Sequence, residues 1–143
     1  MHKNIEEVKK ILGNHIDGLV EKHNIKLMYI FGSYATNKNT ENSDLDIAVL
    51  LEGKPDAFVK LEILDELVEI LRREDIDLVI LNRVDIVLQF QVIKYGKVVY
   101  MKDLLTKVLY ESRVMDFYMD MEHFRRLRNE IMHKTFLEKM KRL

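Results

Sequence analysis

The 143-residue chain contains no cysteine. That absence excludes disulfides and thiolate metal sites, and it suits a reducing compartment. An excess of charge of one sign is missing too. With 23 Lys and Arg against 24 Asp and Glu, the formal net charge is -1, so bulk electrostatics point to neither nucleic acid nor an anionic membrane. No apolar run approaches the roughly 18 residues that a bilayer-spanning helix needs. The N-terminal stretch MHKNIEEVKKILGNHIDGLV carries acids among its apolar residues, unlike a signal peptide. A soluble, cytoplasmic protein is the expectation. What the chain does have is 48% hydrophobic residues, enough to build the core of one domain of ordinary size.

Apolar spacing orders the elements. Ile5, Val8, Leu12, Ile16 and Leu19 recur at intervals of three and four, which predicts an amphipathic helix over about residues 3–22. Leu27 to Phe31 reads as a buried strand, and Leu45 to Leu51 as a second, ended by Gly53 and the only proline, Pro55. Phe58, Leu61, Leu64, Val68 and Leu71 mark another long helix, and Ile76 to Leu81 a third strand. Residues 84–94 read as a helix, although their apolar run also suits a strand. YGKVVYM supplies a turn and a short β segment. From Lys102 to Leu143 there is neither Pro nor Gly, and this stretch reads as helix with a break near Ser112. The expected fold is α/β (α+β): a small mixed sheet with helices on one face. Residues 1–101 form the core, and residues 102–143 a C-terminal helical extension of the same domain.

The chemistry gathers where the first strand ends and the second begins. Asp44 and Asp46 alternate along a strand start, so both point to one face, about 6.5–7 Å apart. Ile47, Val49 and Leu51 take the other face, and small Ala48 leaves room beside the acids. Two converging carboxylates repel each other. A divalent cation removes the conflict, and oxygen ligands suit Mg²⁺ or Mn²⁺. A third carboxylate is available in EDIDLVIL, where Asp75 and Asp77 also share a face. Asp77 is preferred because it lies deeper in its strand, where an unpaired charge is costly; Asp75 competes for the role. Three carboxylates with phosphates can hold two metals for an in-line displacement at phosphorus. A D-x-D alone is as readily a turn or a strand edge. Gly32-Ser33 gives it meaning: glycine lets the backbone approach a ligand closely, and exposed N–H groups opening a helical turn, with a serine hydroxyl, grip phosphate.

Gly32-Ser33, ten residues, then Asp44-Leu45-Asp46 form the pattern G-S-x10-D-x-D. It resembles the minimal nucleotidyltransferases of the DNA polymerase β superfamily. YIFGSYA, SDLDIAVLL, DIDLVIL and YGKVVYMKD are most similar to the MNT-type antitoxins paired with HEPN-domain toxins. The likeness covers about residues 5–101 and is looser over the tail. It implies that Gly32 and Ser33 contact the triphosphate of ATP and that Asp44, Asp46 and Asp77 carry the Mg²⁺ or Mn²⁺. It further implies transfer of AMP to a tyrosine hydroxyl of the HEPN toxin, which silences that partner's RNase activity. A nucleotidyltransferase acting on a small molecule such as an aminoglycoside shares the motif but needs more chain for its substrate. An antitoxin acting by steric binding needs no intact motif at all.

The tail adds a row of Val114, Phe117, Met121, Phe124, Leu127 and Ile131, more apolar surface than a small sheet covers. It is a candidate docking surface for a partner or for a homodimer, unless it breaks into two helices that pack on the core. From Glu122 to Leu143 there are seven Lys or Arg against three Glu, a solvated basic face rather than a nucleic-acid site. RNEIMH, Arg128 to His133, matches the R-x4-H motif of HEPN ribonucleases, but one helix does not make the bundle that such a site needs.

Overall fold

A computed structural model describes residues 4–143. The first helix, α1 (Ile5–His23), starts where Asn4 turns its side chain back to accept a hydrogen bond from the Glu7 amide at 3.0 Å. It ends at Asn24 in the left-handed conformation. The five apolar residues read at helical spacing are all buried; residue 3 of the expected span lies outside the described residues. Strand β1 (Ile25–Phe31) follows, then a 3-10 turn (Gly32–Tyr34), β2 (Leu45–Leu51), α2 (Val59–Leu71), β3 (Ile76–Ile80), α3 (Ile86–Tyr95), β4 (Lys97–Met101) and α4 (Leu104–Lys141).

The strands form one sheet in the order β3-β2-β1-β4. Strand β1 runs antiparallel to β2 and β4, while β2 and β3 are parallel and are joined by the crossover helix α2. Ile47, Val49 and Leu51 pack with α1 and α2 on one face. Lys22 and His23 on α1 both meet Glu66 on α2, at 2.5 and 3.0 Å, and pin the two helices together.

The mixed sheet and its helices match the expectation, but the helices do not keep to one face. Ala48, Leu50, Leu27 and Tyr29 form a second core with Val92 of α3 and with Tyr110 and Val114 of α4. An antiparallel pair that buries alternate residues on both sides needs cover on both sides, and α3 and the start of α4 provide it.

Two further expectations change. In α2 the buried residues are Ile63, Leu67 and Leu71, whereas Phe58 and Leu61 are 70% and 59% exposed. Apolar residues lie on two overlapping stripes, and the stripe of Ile63, Leu67 and Leu71 is the one packed into the core with α1 and the sheet. The tail does not break at Ser112. It is one helix of 38 residues, capped by Asp103, whose side chain accepts from the Thr106 amide at 2.7 Å. Tyr29 donates to Glu111 at 3.2 Å, Tyr110 donates to Gln89 at 2.9 Å, and Phe90 stacks on Tyr118 at 3.9 Å. These contacts hold the first four turns straight across the sheet. Beyond Val114 the apolar row is exposed, Phe124 by 74%, and Arg128 and His133 are exposed on the same single helix.

The corrected stripe makes a prediction. Leu67→Ala should cost about 2–5 kcal/mol in urea denaturation, because it empties a fully buried site. Leu61→Ala should stay within about 0.5 kcal/mol.

Candidate active site

Strand β1 delivers the chain to Gly32, whose φ of 70° lies in the left-handed region. The backbone then closes the 3-10 turn, with the Ala35 amide donating to the Gly32 carbonyl at 3.2 Å. The Lys38 amide donates to the Ser33 carbonyl at 2.9 Å, and the Thr36 hydroxyl donates to the same carbonyl at 3.3 Å. The first N–H groups of such a turn have no partner within it.

Asp46, near the start of β2, is paired in register with Phe31 of β1 on one side and Asp77 of β3 on the other. Gly32 therefore sits directly against it. A Cβ built on Gly32 would fall inside the contact radius of Asp46 Oδ2 and 3.1 Å from its Cγ. Backbone conformation and contact both demand glycine here. The sequence suggested only half of this reason, room for a ligand; the other half is room for the carboxylate. Burial pushes the Asp46 carboxyl above its ordinary range, and the charges of Asp77 and Asp44 push it further.

Asp44 lies one residue before β2 and is exposed. Asp77 is exposed too, so the burial argument for preferring it fails: β3 is an edge strand, which one strand's sequence does not disclose. Another observation separates it from Asp75. Arg73 donates to both oxygens of Asp75 at 2.6 and 2.5 Å, and this guanidinium holds the Asp75 carboxyl below the usual range. Asp75 is engaged, whereas Asp77 lies beside Asp46 on the neighbouring strand.

Arg73 is the residue that sequence reasoning missed. It also donates to the Tyr34 hydroxyl at 2.7 Å and to the Ser43 carbonyl at 3.1 Å. The Leu45 amide donates to the Asp75 carbonyl at 2.9 Å. One guanidinium thus ties the 3-10 turn, the end of the polar excursion and the entrance of β3 into a single frame. Tyr34, the turn's last residue, is buried beneath it.

Residues 14–105 match the family model described as Polymerase beta, Nucleotidyltransferase. The chain belongs to this nucleotidyltransferase family. The matched span contains Gly32, Ser33 and every aspartate named above, and it ends in the first turn of α4. The chain is 45% identical over 78 residues to a Methanocaldococcus jannaschii protein named as a candidate protein adenylyltransferase, covering 54% of this chain and 79% of that one. Its fold is similar to that of a solved toxin–antitoxin with AMP-PNP, with a TM-score of 0.67 and 30% identity over 83% of this chain and 97% of the other. A second similar structure contains a tri-AMPylated HEPN toxin of Shewanella oneidensis in complex with an MNT antitoxin. There the TM-score is 0.65 with 27% identity, over 87% of this chain and 98% of that one.

In this nucleotidyltransferase the donor set fits a hard divalent cation. The carboxylates gathered here offer only oxygen atoms, and Asp46 carries a charge that its surroundings disfavour and a cation would relieve. Among the described residues, no three His, Cys, Asp or Glu side chains already converge as a closed metal cage. A site completed by substrate phosphates does not require one. A separate cavity of about 620 Å³ opens at the far end of β2 and β3, lined by Leu50, Leu81, Lys54, Arg83 and Arg113 among others. It contains none of the motif residues.

The strain on Asp46 has a measurable sign. Its folded carboxyl is raised, so its contribution to stability is fully present below the unfolded value of about 3.9 and is lost as pH rises through the folded value. Asp46→Asn removes that loss. Urea midpoints measured across pH should match near pH 3 and separate as pH rises, with the variant the more stable at pH 7.

Proposed function

We propose that this nucleotidyltransferase is the antitoxin of a HEPN/MNT pair and transfers AMP from ATP to a tyrosine hydroxyl of its HEPN-domain toxin. The observation that carries the reading is Gly32 closed against Asp46, beside Asp77, in a fold similar to that of an antitoxin bound to an AMPylated HEPN toxin. Gly32 and Ser33 hold the triphosphate through backbone N–H groups and the serine hydroxyl. Asp44, Asp46 and Asp77 hold Mg²⁺ or Mn²⁺, which when bound screens the phosphates and polarises them toward attack. The tyrosine oxygen forms a bond to the α-phosphorus, the bond from that phosphorus to the β-phosphate bridging oxygen breaks, and pyrophosphate leaves. The hydroxyl proton passes to a carboxylate of the set, Asp46 or Asp77.

Residues 1–101 are the catalytic core in this reading, and residues 102–143 extend it toward the toxin. The exposed row of Phe117, Met121, Phe124, Leu127 and Ile131 on α4 is the docking surface. No helix among the described residues is long and apolar enough to cross a membrane, which accords with action on a cytoplasmic partner.

Catalysis and docking are separable. The double change Asp44→Asn, Asp46→Asn leaves α4 untouched. It should co-purify with the HEPN partner yet fail to protect cells from it. With ATP and Mg²⁺, the partner's intact mass should rise by one or more AMP units with the unmodified protein and stay constant with the variant. Protection by the variant, with no mass change in either case, would mean that the antitoxin neutralises by binding alone.

A further inference from the structure

A cavity of about 370 Å³ opens beside the Gly32 turn, lined by Phe31, Gly32, Thr36, Gln91 and Tyr95. Its size suits a small ligand or part of one. Gln91 and Tyr95 stand four residues apart on α3, so they share one face of that helix. Tyr95 is 56% exposed, a large ring left in solvent at the rim. The Gln91 amide makes no hydrogen bond among the described residues, so both its donor and its acceptor are available. The helix is held close to the motif turn. A Cβ at Gly96 would strike the Val92 carbonyl and lie 3.2 Å from the Ile30 carbonyl and 3.4 Å from Phe31 Cβ. Only glycine lets the chain turn from α3 into β4 this near to Phe31.

We propose that this cavity takes the adenine ring of ATP, with Tyr95 and Phe31 supplying stacking faces and Gln91 reading the N6/N7 edge. The inference rests on the adenylyl-transfer reading. Phosphates held at Gly32 and Ser33 place the nucleoside beside that turn, and Gly32 itself lines this cavity. Aromatic faces stack on any base. A side-chain amide offers one acceptor and one donor, which match the N6 amino group and N7 of adenine. Guanine presents two acceptors at O6 and N7, and an amide satisfies only one of them. Gln91 thereby selects ATP over GTP, while Tyr95 contributes affinity without selection.

Calorimetry on the full chain with Mg²⁺ tests this, with ATP, GTP and inorganic tripolyphosphate as probes. Unmodified protein should prefer ATP. Gln91→Ala should cut the preference by about tenfold. Tyr95→Ala should weaken both nucleotides by about tenfold, and Tyr95→Phe should restore them. Tripolyphosphate affinity should not change in any variant. Both side chains are exposed, so the fold should tolerate their loss. Equal affinity of the unmodified protein for ATP and GTP would overturn the proposal, as would variants that leave affinity and preference intact. AMP transfer would still stand in either case. If the unmodified protein binds neither ATP nor tripolyphosphate, both the base site and the transfer reading fall.

Discussion

The structure turns on a carboxylate placed where a carboxylate is least comfortable. Asp46 is half-buried, beside Asp77 and near Asp44, and the backbone of Gly32 closes its remaining side. Burial and the two neighbouring carboxylates disfavour its charge. It cannot move, because β2 is held between β1 and β3 and its neighbours Leu45 and Ile47 are fully buried in the core. The core built by α1 and α2 therefore does more than stabilise the domain. It holds a charge against its own preference, in a position where a cation and a triphosphate would relieve it.

The rest of the site keeps the two halves of the motif together. Ten residues separate Ser33 from Asp44, and a loop of that length has many conformations to lose. Arg73 reduces that freedom by bonding Tyr34 at one end of the loop and Ser43 at the other, while Asp75 fixes its guanidinium. The arginine needs no contact with substrate to matter. It sets the distance between the turn and the acidic strand.

Local patterns in the sequence disclosed what local physics decides. The five apolar residues of α1 and the alternating faces of β2 follow from periods of 3.6 and 2. What stayed hidden depends on distant neighbours. The exposure of Asp77 follows from β3 lying at the sheet edge. The bond from Arg73 to Tyr34 spans 39 residues and that to Ser43 spans 30, and no local pattern encodes them. The inward face of α2 was ambiguous because Leu61 and Ile63 belong to competing stripes, and packing against α1 and the sheet decides between them. The continuous α4 was misjudged at Ser112 because a serine there merely lowers helix propensity, while contacts from Tyr29, Gln89 and Phe90 hold the helix through that point.

The central claim is that the Gly32 turn and the aspartates face one bound nucleotide. A crystal structure of the protein with Mn²⁺ and a non-hydrolysable ATP analogue tests it most directly, since manganese reports its own position by anomalous scattering. The account predicts manganese between Asp46 and Asp77, with phosphate oxygens on the amides of Gly32 and Ser33. Phosphates in the cavity lined by Lys54, Arg83 and Arg113, with no manganese at the aspartates, would contradict it.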